Sequence, residues 1–262
     1  MSTVRQIEEA LYSLAPKELA MGWDNVGLLV GDPNQEVTRI LVSLDITQAV
    51  ADEAAAKGAQ LIIAHHPVMN CKWLPVQTLR EDTRQGKLLR TLVKHEIAAI
   101  CMHTNLDITQ GGVNDVLAET LRLSALQILG EDNLIRYGFL EREISLKEFA
   151  AQVNKLLHCR GLRYTDCGKP AYRVAVGGGS CGDSWREILA AGCDTFVTSD
   201  VKYHDFLDAA GKGINLIDAG HFPTEDPVCN KIISYLSTQF PELAVTKSAS
   251  HREVIQYVKG EH

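Results

Sequence analysis

At 262 residues the chain is long enough for one large domain or two of ordinary size, and its 45% hydrophobic and 23% charged content is that of a globular protein rather than a disordered one. A net charge of −7 argues against nucleic acid as a partner, because non-specific nucleic-acid binding needs a basic surface. The longest apolar runs, about five to eight residues, fall far short of the roughly 20 that span a bilayer; residues 1–10 place acidic side chains where a signal peptide has its apolar stretch, so a cytoplasmic protein with no membrane contact is expected.

The predicted elements begin with a helix over 3–14 and a strand over 26–30. A strand over 39–44, a helix over 47–57 stopped by Gly58, and an apolar strand over 60–64 follow. A helix over about 85–95 then leads to a strand ending at Met102, and a further helix is expected near 112–121. In the second half a strand over 172–176 precedes a helix over about 184–191, Gly192 and a strand over 194–198. A helix near 202–210, a strand over 214–217, a helix over about 223–239 and a strand over 243–246 complete the chain.

Each half therefore reads β-α-β-α-β, with the two copies offset by about 132 to 134 residues, which suggests a duplication. The expected fold is α/β: a first domain over 1–126 and a second over 127–262, similar, interlinked and built on mixed sheets. If their ligand-bearing strand ends face each other across a cleft, residues distant in sequence converge there.

The chemistry-bearing residues lie at the carboxyl ends of these strands, where open α/β sheets place their ligands. His65 and His66 follow Leu61-Ile62-Ile63-Ala64 directly. His103 and Asp107 follow the strand ending at Met102, and His221 and Glu225 follow the strand ending at Ile217. Neutral imidazole and carboxylate together suit zinc, iron or manganese, and no cysteine is among the candidates. The seven cysteines are odd in number and form no Cys-x-x-Cys pair, so reduced thiols are expected in place of a disulfide framework or a zinc ribbon.

Five mixed ligands, His65, His66, Asp107, His221 and Glu225, suit two ions about 3.5 to 4 Å apart better than one tetrahedral ion. Neighbouring histidines on a strand point to opposite faces, so His65 and His66 serve one site only if the strand has ended and the chain is turning before Pro67. Plainer readings stand beside these. Asp107 could be a helix cap, Glu225 a first-turn carboxylate complementing a helix dipole, and one of the paired histidines solvated. His221 is expected in the loop before a helix that starts near Pro223. The run Gly177-Gly178-Gly179-Ser180 is either a phosphate-binding loop or a tight turn needing positive φ. His204 is either a substrate-facing acid/base or a polar helix residue. His95, His158, His251 and His262 are assigned no role.

Taken in order, Trp23-Asp24-Asn25-Val26-Gly27-Leu28-Leu29-Val30-Gly31, Ser43-Leu44-Asp45-Ile46-Thr47, Ala64-His65-His66-Pro67, His103-Thr104-Asn105-Leu106-Asp107, Thr198-Ser199-Asp200-Val201-Lys202-Tyr203-His204 and Ala219-Gly220-His221-Phe222-Pro223-Thr224-Glu225 resemble the motifs of the Nif-three-like proteins, often labelled GTP cyclohydrolase 1 type 2 homologs. The resemblance covers nearly the whole chain. It departs at Thr198-Ser199-Asp200, where the family usually has Thr-Gly-Asp.

The resemblance implies a dinuclear centre of two divalent ions, zinc, iron or manganese, held by His65, His66, Asp107, His221 and Glu225, with Glu225 as the bridge. It implies His103 and His204 as pocket residues with catalytic roles, and a ring-shaped homohexamer. The label implies hydrolytic opening of a guanine ring, with a metal-bound hydroxide attacking and a histidine donating a proton. The expected function is a metal-dependent hydrolase of a nucleotide-like or phosphorylated small molecule. The alternative is a metal-handling or regulatory protein without turnover.

Overall fold

The structure, a computed structural model, describes residues 2–71 and 74–258; His262 lies outside the described residues. The elements run β1 (Ser2–Thr3), α1 (Val4–Leu14), β2 (Gly27–Val30), β3 (Glu36–Val37), β4 (Arg39–Ser43), α2 (Gln48–Lys57), β5 (Leu61–Ala64), α3 (Arg84–Lys94), β6 (Ala98–Cys101) and α4 (Thr104–Ile108). They continue with α5 (Val113–Thr120), β7 (Ser124–Leu129), β8 (Ile135–Ile144), α6 (Leu146–Leu156), β9 (Arg163–Thr165), β10 (Ala171–Val176), α7 (Trp185–Ala190), β11 (Thr195–Thr198), α8 (Tyr203–Lys212), β12 (Asn215–Asp218), α9 (His221–Glu225), α10 (Pro227–Gln239) and β13 (Ala244–Lys247). Helix starts follow the local chemistry: Thr3 forms a capping box with Gln6, and Thr47 and Thr83 accept the amides of Val50 and Gly86. Gly58 closes α2 in the left-handed region, which a side chain would disfavour.

The described residues form two compact units, one from 2–112 and 228–252, the other from 113–227 and 253–258. The first holds a mixed sheet in the order β13-β4-β5-β6-β2, parallel except for β2. Strand β13 comes from the far end of the sequence and adds to the edge of β4. The register sets Ser43 against Ala64 and Ala64 against Cys101, so β4, β5 and β6 end level. Asp45, His65, His66 and His103 therefore leave the sheet along one edge, as doubly wound sheets present their ligands. Apolar residues of α2 and α3, including Val50, Ala54, Leu88 and Leu92, pack with Leu41, Ile62 and Ala99 of the sheet.

The second unit holds a mixed sheet in the order β7-β8-β10-β11-β12-β9, with a parallel core of β10, β11 and β12. One face, with Val174, Val176, Val197 and Ile217, packs on Leu117 of α5 and Phe149 of α6. The other, with Ala175, Phe196 and Leu216, packs on Trp185, Ile188 and Ala209. Burial on both faces explains why these strands read as continuous apolar runs. Val176 pairs with Val197 and Thr198 with Asp218, so the glycine run, Ser199-Asp200 and the approach to His221 again share one edge.

Two sheets of mixed orientation in an α/β fold bear out the expected fold class. Strands β1, β3, β7, β8 and β9 and helices α4 and α6 are additions to the predicted elements. The single helix expected over 223–239 is two, α9 and α10, and Pro227 opens the second, where a missing amide hydrogen costs nothing. Among the described residues no helix is long and apolar enough to cross a membrane.

Candidate metal centre

In the first unit the chain leaves β5 by a turn that brings two adjacent imidazoles together. The amides of His65 and His66 both donate to the Leu44 carbonyl, at 3.1 and 2.9 Å, so strand alternation has ended at Ala64. Their ring centroids lie 4.9 Å apart, and the His103 ring is 5.1 and 5.6 Å from the two. One ligand atom from each of these histidines lies within 4.8 Å of the others. The Asp107 carboxylate adds to the group, with Oδ1 3.5 Å from His65 Nε2. Asp107 sits inside α4, four residues after His103, so it is a pocket carboxylate rather than a helix cap.

Each of these rings is held by Nδ1. His65 Nδ1 meets the Met102 carbonyl at 2.8 Å, His66 Nδ1 meets Asp45 Oδ1 at 2.8 Å, and His103 Nδ1 meets both Asp24 oxygens at 2.9 Å. An acceptor at Nδ1 fixes the proton there and leaves Nε2 as the lone-pair donor, the arrangement metal-ligating histidines normally have. The two carboxylates are tuned accordingly. Burial pushes the Asp24 carboxyl up, but His103 and Thr104 outweigh it and hold it at about 2. Burial opposes ionisation of Asp45 as well, and hydrogen bonds from His251 and His66 bring it well below the usual carboxylate range.

In the second unit α9 carries His221 and Glu225 on one face, with His221 Nε2 3.0 Å from Glu225 Oε2. His221 is the first residue of this helix, with Pro223 in its first turn, rather than part of the preceding loop. Asp218 fixes the entry by accepting the Gly220 and Val201 amides. His221 Nδ1 lies 2.6 Å from Asp200 Oδ2, so the fourth imidazole repeats the pattern of the other three. Burial lowers its pKa, but Asp200 and Glu225 raise it to about 11. Glu225 itself is 5% exposed. A buried carboxylate facing an imidazole nitrogen is a place where a cation stabilises the fold, and a proton serves when no metal does. Imidazole Nε2 atoms with buried carboxylates fit zinc, iron or manganese.

A family model for Duf34/NIF3 (NGG1p interacting factor 3) matches residues 2–253. The chain belongs to this family. It is 34% identical over 236 residues to the GTP cyclohydrolase 1 type 2 homolog of Clostridium perfringens, covering 87% of this chain and 89% of that protein. A hypothetical protein of Staphylococcus aureus superposes with a TM-score of 0.89 at 28% identity, covering 98% of this chain and 99% of the other. A Bacillus cereus protein related to NIF3 gives a TM-score of 0.92 at 23% identity over 98% and 99%, a likeness of fold.

In this NIF3 family member the three glycine amides of the run are taken up within the second unit. The amides of Gly177, Gly178 and Gly179 donate to the Val197 carbonyl, Asn114 Oδ1 and Thr224 Oγ1, at 3.0, 2.7 and 3.1 Å. What the run does is admit Glu225. A Cβ on Gly179, whose φ is +62°, would stand 2.1 Å from Glu225 Oε1 and 3.2 Å from His221 Nε2. His204 is exposed on the first turn of α8, its ring 5.4 Å from that of Tyr203. Among the described residues no hydrogen bond or ion pair joins it to His221 or Glu225.

Sequence reasoning missed two residues that hold the histidines. Asp24 reaches His103 from 79 positions away, and His251 brings Nε2 within 3.1 Å of the Asp45 amide and 3.2 Å of its carboxylate from 206 away. Asp24 stands in one of the quoted motifs but was given no role there, and no local pattern marks His251. Asp45 and Asp200 lie just past the strands predicted over 39–44 and 194–198, and the level strand ends of each sheet explain why they lie beside histidines from the neighbouring strands.

Proposed function

We propose that this protein is a dinuclear metal-dependent hydrolase of a nucleotide-like or otherwise phosphorylated small molecule. The residues that would hold two divalent ions of zinc, iron or manganese are His65, His66, Asp107, His221 and Glu225, with Glu225 as the ligand the ions would share. The observation that carries this reading is that four imidazoles, His65, His66, His103 and His221, each have Nδ1 on an oxygen acceptor, the arrangement of metal-ligating histidines, and that each unit adds a buried carboxylate, Asp107 in one and Glu225 in the other. A merely structural histidine has no need of that uniformity. Bound there, the ions supply Lewis acidity near neutral pH.

The protein's own residues do the rest. His103, anchored by Asp24, is a group able to give or take a proton at a reacting atom without losing its orientation. His204 contacts the outer part of the substrate from its exposed position on α8. Thr198-Ser199-Asp200 orients His221 through Asp200. The name borne by the curated relatives suggests guanine nucleotides as the first compounds to try. The working assembly is a homohexameric ring in the cytoplasm.

The test is metal content by elemental mass spectrometry on untagged protein purified without chelator, beside Glu225→Ala. Near two ions per chain, reduced in the variant, together with turnover lost in the variant, is expected. Well under one ion after reconstitution overturns the centre. Near two ions without turnover across a broad panel, but with release to an acceptor apoprotein, replaces the hydrolase with a metal carrier.

A further inference from the structure

Asp24, Asp45 and Asp200 each anchor an imidazole, and each is itself held by a further group. Asp24, which anchors His103, accepts through Oδ2 from the Thr104 amide and hydroxyl at 3.0 and 2.6 Å. Asp200, which anchors His221, accepts from Ser180 Oγ at 2.5 Å. Asp45 anchors His66 through Oδ1, and His251 Nε2 lies 3.2 Å from its Oδ2. Thr104 adjoins the histidine it serves in sequence, whereas His251 comes from 206 positions beyond Asp45.

A carboxylate gripped at one oxygen can pivot, and the Asp45 side chain is 45% exposed to water that competes for it. With His66 on one oxygen and His251 beside the other, that rotation is stopped. The same ring atom stands 3.1 Å from the Asp45 amide nitrogen, so His251 brackets the residue at its backbone as well as its carboxylate. Ordering an exposed side chain costs entropy, which a neighbour already held in place offsets. His251 is such a neighbour. Its side chain is 8% exposed, and a turn built on Ser248 delivers it. The Ser248 amide donates to the Val42 carbonyl of β4 at 2.8 Å. Its hydroxyl donates to Glu53 Oε2 of α2 at 2.6 Å and accepts the amides of Ser250 and His251, both at 3.2 Å.

We propose that His251 is a positioning residue for His66: delivered by the Ser248 turn, it locks Asp45 and so keeps the His66 proton on Nδ1, with Nε2 as the nitrogen presented to a cation. Without that lock the imidazole shares its proton between both nitrogens, and a ligand in the competent tautomer for only part of the time binds correspondingly more weakly. The role rests on the metal-ligand reading of His66 above and extends the centre to the segment that follows β13.

Nitrogen NMR of metal-free protein carrying isotope-labelled histidine tests it, with the His66 ring signals identified by their loss in His66→Gln. The His66 ring should show one tautomer, protonated at Nδ1, in wild type and a mixture in His251→Ala. Zinc affinity, measured by competition with a chromophoric chelator, should fall about threefold to tenfold in His251→Ala, below the 10- to 100-fold usual for a ligand's direct partner. It should largely recover in His251→Gln, whose amide offers a donor and an acceptor near the place of Nε2. In the Asp45→Asn background the His251→Ala change should add almost nothing, because it acts through Asp45. A mixed tautomer already in wild type, an unaltered tautomer in His251→Ala, or an equal loss of affinity with and without Asp45 overturns the role. Should His251→Ala not fold, Ser248→Ala loosens the turn with the ring intact and must alter the His66 signals in the same way; unaltered signals there overturn the role equally. The two readings fail separately. His66 signals that depend on residue 251 in a protein that binds no zinc remove the metal centre alone. Zinc bound near two ions per chain, with His66 signals and affinity indifferent to residue 251, removes the positioning role alone.

Discussion

A histidine becomes a directional ligand only when one of its nitrogens is committed elsewhere, and here the commitments come from Met102, Asp45, Asp24 and Asp200. His65 and His66 were legible as candidates because an apolar strand ends directly before them. Their anchors were not, since each is supplied by another strand end or loop. Asp45→Asn keeps the size of the side chain and removes the charge that faces both His66 and His251. Metal affinity, measured by competition with a chromophoric chelator, should fall about 10- to 100-fold, the usual cost of losing such a partner; unchanged affinity would mean that Asp45 does not orient His66. Gly179→Ala tests the other half of the donor set. The new methyl must displace the Glu225 carboxylate and also strains a backbone in the left-handed region. Fewer ions per chain are expected, with a stability loss of about 1–3 kcal/mol. Full metal content in a folded variant would show that the glycine is needed only for its turn.

At the scale of elements, the parallel strands of both sheets were readable because burial on two faces writes continuous apolar runs into the sequence. Strand β8 was not. Its second residue, Arg136, is 1% exposed and paired with Asp115 at 3.0 Å, and Gly138 in its middle lies where a Cβ would meet the Ser124 carbonyl at 2.6 Å. A buried charge and a glycine both read as interruptions, yet they are what this strand needs against α5 and β7. Strand β9, three residues long, is too short to carry a period. The placement of the last segment depends on Glu53 of α2, whose carboxylate accepts from Ser248 Oγ and the amides of Ala249 and Ser250 at 2.6, 3.0 and 2.9 Å. This clamp holds His251 against Asp45. Burial of Glu53 favours its neutral form, but hydrogen bonds from Lys57, Ser248 and the two amides prevail and depress the pKa. A carboxylate depressed in the folded state stabilises fully above its unfolded pKa of about 4.3 and loses that contribution as pH falls toward the folded value. Glu53→Gln should therefore lower the urea midpoint at pH 7 by the equivalent of about 1–3 kcal/mol, and the gap to wild type should narrow below about pH 4. A gap that is constant with pH would assign the effect to shape rather than charge.

For the whole molecule, the sequence order hides how the fold is shared: residues 228–252 return to the first unit, and β13 completes the sheet that carries His65 and His66. The repeated β-α-β-α-β pattern made the two sheets legible, but parallel pairing at an edge by a distant strand leaves no local mark. The proposed centre takes His65, His66 and Asp107 from one unit and His221 and Glu225 from the other. If that proposal holds, neither unit can unfold without releasing metal, and the stabilities of the two are coupled through it. At a free metal concentration 100 to 1,000 times the dissociation constant the native state gains about 2.7 to 4.1 kcal/mol. For a chain of this size that corresponds to a rise in Tm of roughly 5–15 °C over chelator-treated protein. Calorimetry of the wild type with and without metal should show this rise in a single transition, and Glu225→Ala should show little of it. Two transitions of which metal shifts only one would place the ions within a single unit, and the shared centre would have to be abandoned.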